Sequence, residues 1–340
     1  MIVITSMIAI PIRAIELTAP TVPSYAEEFM PRDPQNLTEG IREVLKEALG
    51  KIRPDIRKAW GICLGIIAAA MITSLLRSFP ANLEKNVDLA GVVAVSVMFL
   101  SAVGALIDLG TESVFQISEY GKLLLPVMTA ALAAQGGITG SAALYSVTAM
   151  FDAILAGLIS NVLMPFLYLY LALSVSHSAV GEDLLKRMRD GVKWLMTWIL
   201  KTVLYVFTGF ISITGVISGP TDAAALKAAK LTISGFVPIV GGILSDASEA
   251  VLVSAAAVKN AIGLYGLFAV VAIWIGPFLR IGAHYLVLRF TGMVCGIIGS
   301  KRIADLIQDF ATAMGFLLAM TGAVCLMLLI SMVCFMRGAS

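Results

Sequence analysis

The residues able to do chemistry in this chain are few, and most stand inside apolar runs. Asp246 and Glu249 are three apart on one helical face, with Lys259 further along the same stretch. Asp152 sits near the middle of another run and Arg289 inside a third. Ionisable groups at such places mark proton or ion paths, or pair with one another, because burying a lone charge in hydrocarbon is costly. Placement at a membrane interface is the competing reading for Asp246, Glu249 and Lys259. Asp152 is the best single candidate for a buried polar contact or a watery path, and a hydrogen bond to a neighbouring helix explains it equally well. Arg280 reads as an interface cap, whereas the deeper Arg289 is expected to pair with one of these acids. His177 and His284 read as satisfied packing residues rather than proton relays.

Two further groups carry backbone rather than side-chain chemistry. Gly219-Pro220-Thr221-Asp222 suits a helix start, with proline in the first turn and an acid beside the positive helix end; lining a pore is the alternative. Gly241 and Gly242, just after Pro238, either let the backbone bend at membrane depth or permit close helix packing.

The remaining chemistry is conspicuous by absence. Cys63, Cys295, Cys325 and Cys334 all lie in apolar runs, without the spacing of a disulfide frame or zinc site, and read as small packing residues. No H-E-x-x-H, G-x-S-x-G or phosphate-loop pattern occurs; "CGIIGSK" from Cys295 lacks the spacing. The expectation is a chain that is not an enzyme, holds no cofactor or metal, and does not power itself with ATP.

These residues belong to a chain of 340, of which 59% are apolar and 14% charged. Of its 46 charges, 16 fall in the first 60 positions. A mean hydropathy of +0.93 leaves too little polar surface for water, so the body is expected to be an all-α polytopic membrane bundle. The formal charge of +2 gives no bulk-electrostatic ground for nucleic-acid binding.

Residues 1–26 have features of a signal peptide: an apolar stretch from Ile2 to Ile12, then Ser24-Tyr25-Ala26, although Arg13 follows the apolar stretch directly. A disordered or interfacial arm is the alternative. Residues 27–58 read as an extracytoplasmic amphipathic region. Leu37, Ile41, Val44, Leu45, Ala48, Leu49 and Ile52 recur at helical spacing, and Pro54 should break the helix. Its other face carries both signs of charge, which favours a partner helix or the protein body over anionic lipid as its contact.

From 59 to 340 the apolar runs predict about eight spans: near 59–76, 89–107, two within 141–180 parted near 161–165, 194–217, 261–279, 281–298 and 310–336. Two pieces, beginning at Leu123 and Gly235, combine an early proline with paired glycines and read as broken or re-entrant helices. Pro126 and Pro165 repeat as Pro238 and Pro277 at an offset of 112, "PFL" following both Pro165 and Pro277. An internal duplication would give units 59–160, 161–279 and a partial 280–340, with a cavity near the broken segments. Eight identities over 44 residues are close to what apolar composition alone supplies. Basic connectors at 77–88, 182–193 and 301–309 belong in the cytoplasm by the positive-inside rule, which requires an even number of crossings between them.

The most individual stretch, from Ser218 to Gly263, reads "SGPTDAAALKAAKLTISGFVPIVGGILSDASEAVLVSAAAVKNAIG". Its "K-x-A-K" helix, "FVPIVGG", "SDASE-x-VL" and "VKNAIG" resemble the signature region of the stage III sporulation protein AE family, polytopic membrane proteins of endospore-forming bacteria. The layout agrees over most of the chain. The resemblance implies a subunit of the channel or secretion-like assembly that links mother cell and forespore, in the mother-cell membrane. It also implies oligomerisation and partners: other stage III sporulation membrane subunits, a cytoplasmic ATPase and intermembrane ring proteins. An independent secondary transporter for a small solute, or a scaffold without a pore, shares the same sequence features.

Overall fold

The structure, a computed structural model, describes residues 18–32, 37–77, 84–135, 138–236, 241–298 and 301–337, with the side chains of 211–256 and a few residues at segment ends outside that description. Among the described residues every regular element is helical. In chain order they are α1 (Ser24–Glu27), α2 (Leu37–Lys51), α3 (Arg53–Leu76), α4 (Glu84–Ala133), α5 (Ile138–Leu158), a π-helical turn (Ile159–Leu163), α6 (Met164–Val180), α7 (Asp183–Phe236), α8 (Gly241–Ile298) and α9 (Lys301–Arg337).

The N-terminal helices follow their sequence signals. Glu39 occupies the first turn of α2 and Lys51 the last, each facing the favourable end of the helix dipole. One residue, Ile52, separates α2 from α3, whose first turn holds Pro54, where a missing N–H costs nothing. The amphipathic face of α2 meets the protein body: Val44 and Ala48 are buried against Ile275 of α8.

The long helices depart from the eight-span expectation. Among the described residues, five helical stretches are long and apolar enough to cross a membrane: Arg53–Leu76, Asn86–Ala133, Ser141–Val180, Ala257–Ile298 and Lys301–Met336. Several apolar runs that look separate in sequence lie end to end in one helix. The runs near 89–107 and 123–133 share α4, whose 50 residues rise about 75 Å. The runs 261–279 and 281–298 share α8.

The presumed parting near 161–165 is also continuous. An α-helical Pro165 would press its ring on the carbonyl of Asn161 and leave that oxygen without a donor. The π turn before it, where the Met164 N–H reaches the carbonyl of Ile159, adds the room this requires. Helix therefore runs from α5 into α6 instead of turning back.

Helix ends replace the expected re-entrant pieces. Pro126 lies inside α4, which ends at Ala133, and α5 begins at Ile138; Gly136 and Gly137 lie outside the described residues. Helix α7 ends at Phe236 and α8 begins at Gly241, and Pro238 lies outside the described residues.

Side-chain contacts set the directions. Phe99 of α4 stacks on Phe310 of α9 at 3.9 Å, and further along Gly121 faces Leu328, so α4 and α9 run parallel. Gly292 of α8 faces Gln308 while Gly263 faces Met336, so α8 runs against α9. The α5–α6 rod also opposes α9: Thr148 bonds Ser331 at 3.2 Å and Tyr170 bonds Asp309 at 3.1 Å. In α7, Arg189 meets Asp309 and Phe207 meets Phe151, which makes it parallel to α9. The core follows α9, where Phe310, Met314, Leu317, Val324 and Met332 are fully buried.

Candidate functional site

Three polar places interrupt the apolar bundle. The first gathers the three basic connectors at one end. Buried Asp88 receives Arg77 at 3.1 Å and Arg302 at 3.7 Å, tying the first connector to the third. Arg189 of the second connector reaches Asp309 at 2.6 Å, with both side chains under 15% exposed. Tyr170 donates to the other Asp309 oxygen at 3.1 Å. The α6–α7 junction joins this cluster because Gly181, at φ 84°, makes a left-handed cap and turns the chain beside Arg302.

The second place is a cavity of about 370 Å³ between the N-terminal segment and the middles of α4 and α8. Its walls include Tyr25 and Glu28, Lys51 of α2, Asp55 of α3, Glu112, Ser113 and Gln116 of α4, and Gly276, Pro277 and Arg280 of α8. Asp55 accepts from Arg280 at 3.1 Å, and Lys51 pairs with Glu28. That pairing holds the Glu28 carboxyl below, and the Lys51 amine above, their ordinary ranges. Burial, then the neighbouring Glu112, pushes the Tyr25 phenol up to about 12. Ser113 Oγ is buried with no hydrogen-bond partner. Phe29 covers Gly276, where an added Cβ would lie 3.3 Å from its ring. The cavity therefore lies against Pro277.

The third place is Asp152, 2% exposed on α5. Ser118 of α4 donates to its Oδ2 at 2.6 Å, and its Oδ1 has no partner. This contact is the interhelical hydrogen bond weighed from the sequence.

The other sequence candidates are dispersed. Arg289 does not pair with Asp152; it donates to Gln308 at 2.7 Å and lies over the Tyr285 ring at 5.5 Å. Lys259 is buried on α8. Gly219, Pro220 and Asp222 fall inside α7, not at a helix start, and Gly241, Gly242, Asp246 and Glu249 fall in the first turns of α8. The side chains of these seven, like Pro238, lie outside the described residues. His177 and His284 each meet a backbone carbonyl, at 3.1 and 2.9 Å. Sequence reading missed the cavity and the Arg189–Asp309 pair; the polar connectors hinted at the pair, and nothing local signalled the cavity.

The spacing of these places has a physical scale. From Asp88 to Glu112 along α4 is about 36 Å, and from Asp55 to Arg77 along α3 about 33 Å. The connector cluster and the cavity are therefore separated by about one hydrocarbon core, roughly 30 Å. Beyond Glu112, α4 continues for about another 30 Å.

Fold and site together define a protein whose described residues are helical, with five helices among them suited to crossing a membrane and the polar connectors collected at one end. The family described as Stage III sporulation protein AE matches residues 26–339, and the chain belongs to that family. It is similar to Stage III sporulation protein AE of Bacillus subtilis (strain 168), with 22% identity over 236 residues, 69% of this chain and 59% of that protein. The chain thus matches about three-fifths of that relative's length. No solved structure matches it.

Proposed function

We propose that this chain is a non-enzymatic, multi-pass subunit of the channel or secretion-like apparatus that links mother cell and forespore, where it supports late forespore development. The observation that carries the reading is the family match over residues 26–339, joined to the depth spacing of the bundle. Three basic connectors meet at one end, and the N-terminal segment caps the helices about one bilayer away. With the connectors in the cytoplasm, the chain crosses an even number of times between one connector and the next, and the cap faces the space between the two membranes. Energy would come from a cytoplasmic ATPase, with other stage III membrane subunits and intermembrane ring proteins as neighbours and the assembly oligomeric.

Co-purification from sporulating cells tests this reading. Recovery of the ATPase and ring proteins with the chain is the expected result; recovery of the chain alone, from intact membranes, contradicts it. A second reading, an independent permease for a small solute, draws on the cavity against Gly276 and Pro277. Solute flux into proteoliposomes holding only this chain would favour it.

A further inference from the structure

Arg289 lies on α8 nine residues from Arg280, beside the cavity, and nine from Ile298, at the connector end. It is therefore about 14 Å along α8 from both Arg280 and Ile298, and, because Gly292 faces Gln308, it lies near the depth of the buried Arg189–Asp309 pair at the inner edge of the connector cluster. Its side chain is exposed, and it stands in a stripe of exposed apolar residues at helical spacing: Leu286, Phe290, Met293 and Ile297, the last 86% exposed. The guanidinium lies over Tyr285, one turn back, and donates to Gln308, which sits level with Gly292. Among the described residues no carboxylate neutralises it, and one amide oxygen accepts from its five N–H groups. An uncompensated arginine facing lipid at that depth costs at least about 2.5 kcal/mol.

Resting on the membrane reading above, we infer that this face of α8 is an intramembrane docking surface for a spanning helix of a different subunit, one that brings an aspartate or glutamate to Arg289. Charge complementarity selects that occupant. A second copy of this chain does not match at that depth, because its described exposed acids lie toward the two ends: Asp190 and Asp305 near the connectors, Asp108 and Glu112 near the cavity. Apolar neighbours Met293 and Ile297 supply packing area, while the buried charge pair sets register and partner choice.

The test places a photo-crosslinking p-benzoylphenylalanine at Met293 in the full chain, in membranes of sporulating cells. The expected adduct is a different membrane protein with an acid inside a span. Arg289→Met should lower adduct yield about thirtyfold, Arg289→Lys should retain most of it, and Arg289→Glu should recover it when the partner's acid is changed to lysine. Adducts to lipid only, adducts to a second copy, or a yield unmoved by Arg289→Met each overturn the inference. A Met293→Cys variant reactive toward a membrane-impermeant maleimide would instead overturn the membrane reading on which it rests.

Discussion

Removing the Arg189 side chain should destabilise the bundle more than removing its partner's charge. In Arg189→Met, Asp309 remains 14% exposed with Tyr170 as a neutral donor and no cation at 2.6 Å. Stranding one member of a buried pair costs about 3–5 kcal/mol, and the slight exposure here lowers that to about 2–4. In Asp309→Asn the arginine keeps Asp190 at 2.9 Å, in a more exposed position, so the expected loss is about 1–2 kcal/mol. The double variant Arg189→Met/Asp309→Asn leaves neither charge stranded and should lose about 2 kcal/mol less than the two single losses summed. Reversible unfolding in mixed detergent and SDS micelles, followed by circular dichroism, gives all three values. Single variants within about 0.5 kcal/mol of wild type, or simple additivity, would show that the pair is exposed to water and that the connectors do not meet as described.

Three other outcomes follow from the cavity and the bundle. Val44→Asp puts a carboxylate against Ile275 and should release α2, seen as new protease cleavage near residues 30–55 with the spanning helices still protected. Because folding raises the Tyr25 phenol from its ordinary value near 10 to about 12, its neutral form stabilises the fold fully below pH 10 and progressively less as pH climbs to 12. Tyrosinate absorbance should lose a late-titrating component in Tyr25→Phe, and that component should titrate earlier in Glu112→Gln. Asp152→Asn keeps an acceptor for Ser118 and should change stability by less than about 1 kcal/mol, whereas Asp152→Leu strands the Ser118 hydroxyl and should cost about 1–3.

Helix was legible throughout because apolar periodicity and the N-terminal signals of α2 and α3 are local. Pro54 is an example: its place two residues past Ile52, in the first turn of α3, announces both an end and a start. Span count was not legible in the same way. An apolar run fixes how much chain can be buried, and does not fix whether the next run turns back or continues coaxially. The 161–165 stretch and Arg280 both looked like partings, yet a π turn absorbs the first and α8 runs through the second. Asp152 and Arg289 stand out in the sequence as charges within apolar runs because type and position suffice for that. Their partners, Ser118 and Gln308, were not found, since polar uncharged residues on distant helices give no signal of contact. The cavity depends on α1 and α2 lying over the middle of α8, a tertiary fact that no spacing encodes.

The account stands on two polar levels separated by one bilayer, and sidedness measures that directly. In a variant with Cys63, Cys295, Cys325 and Cys334 replaced, single cysteines at Glu182, beside the connector cluster, and at Glu43, on the exposed face of α2, would be labelled with impermeant maleimide in intact and inside-out vesicles. The predicted result is Glu182→Cys labelled only from the cytoplasmic side and Glu43→Cys only from the opposite side. Labelling of both from one side would contradict it.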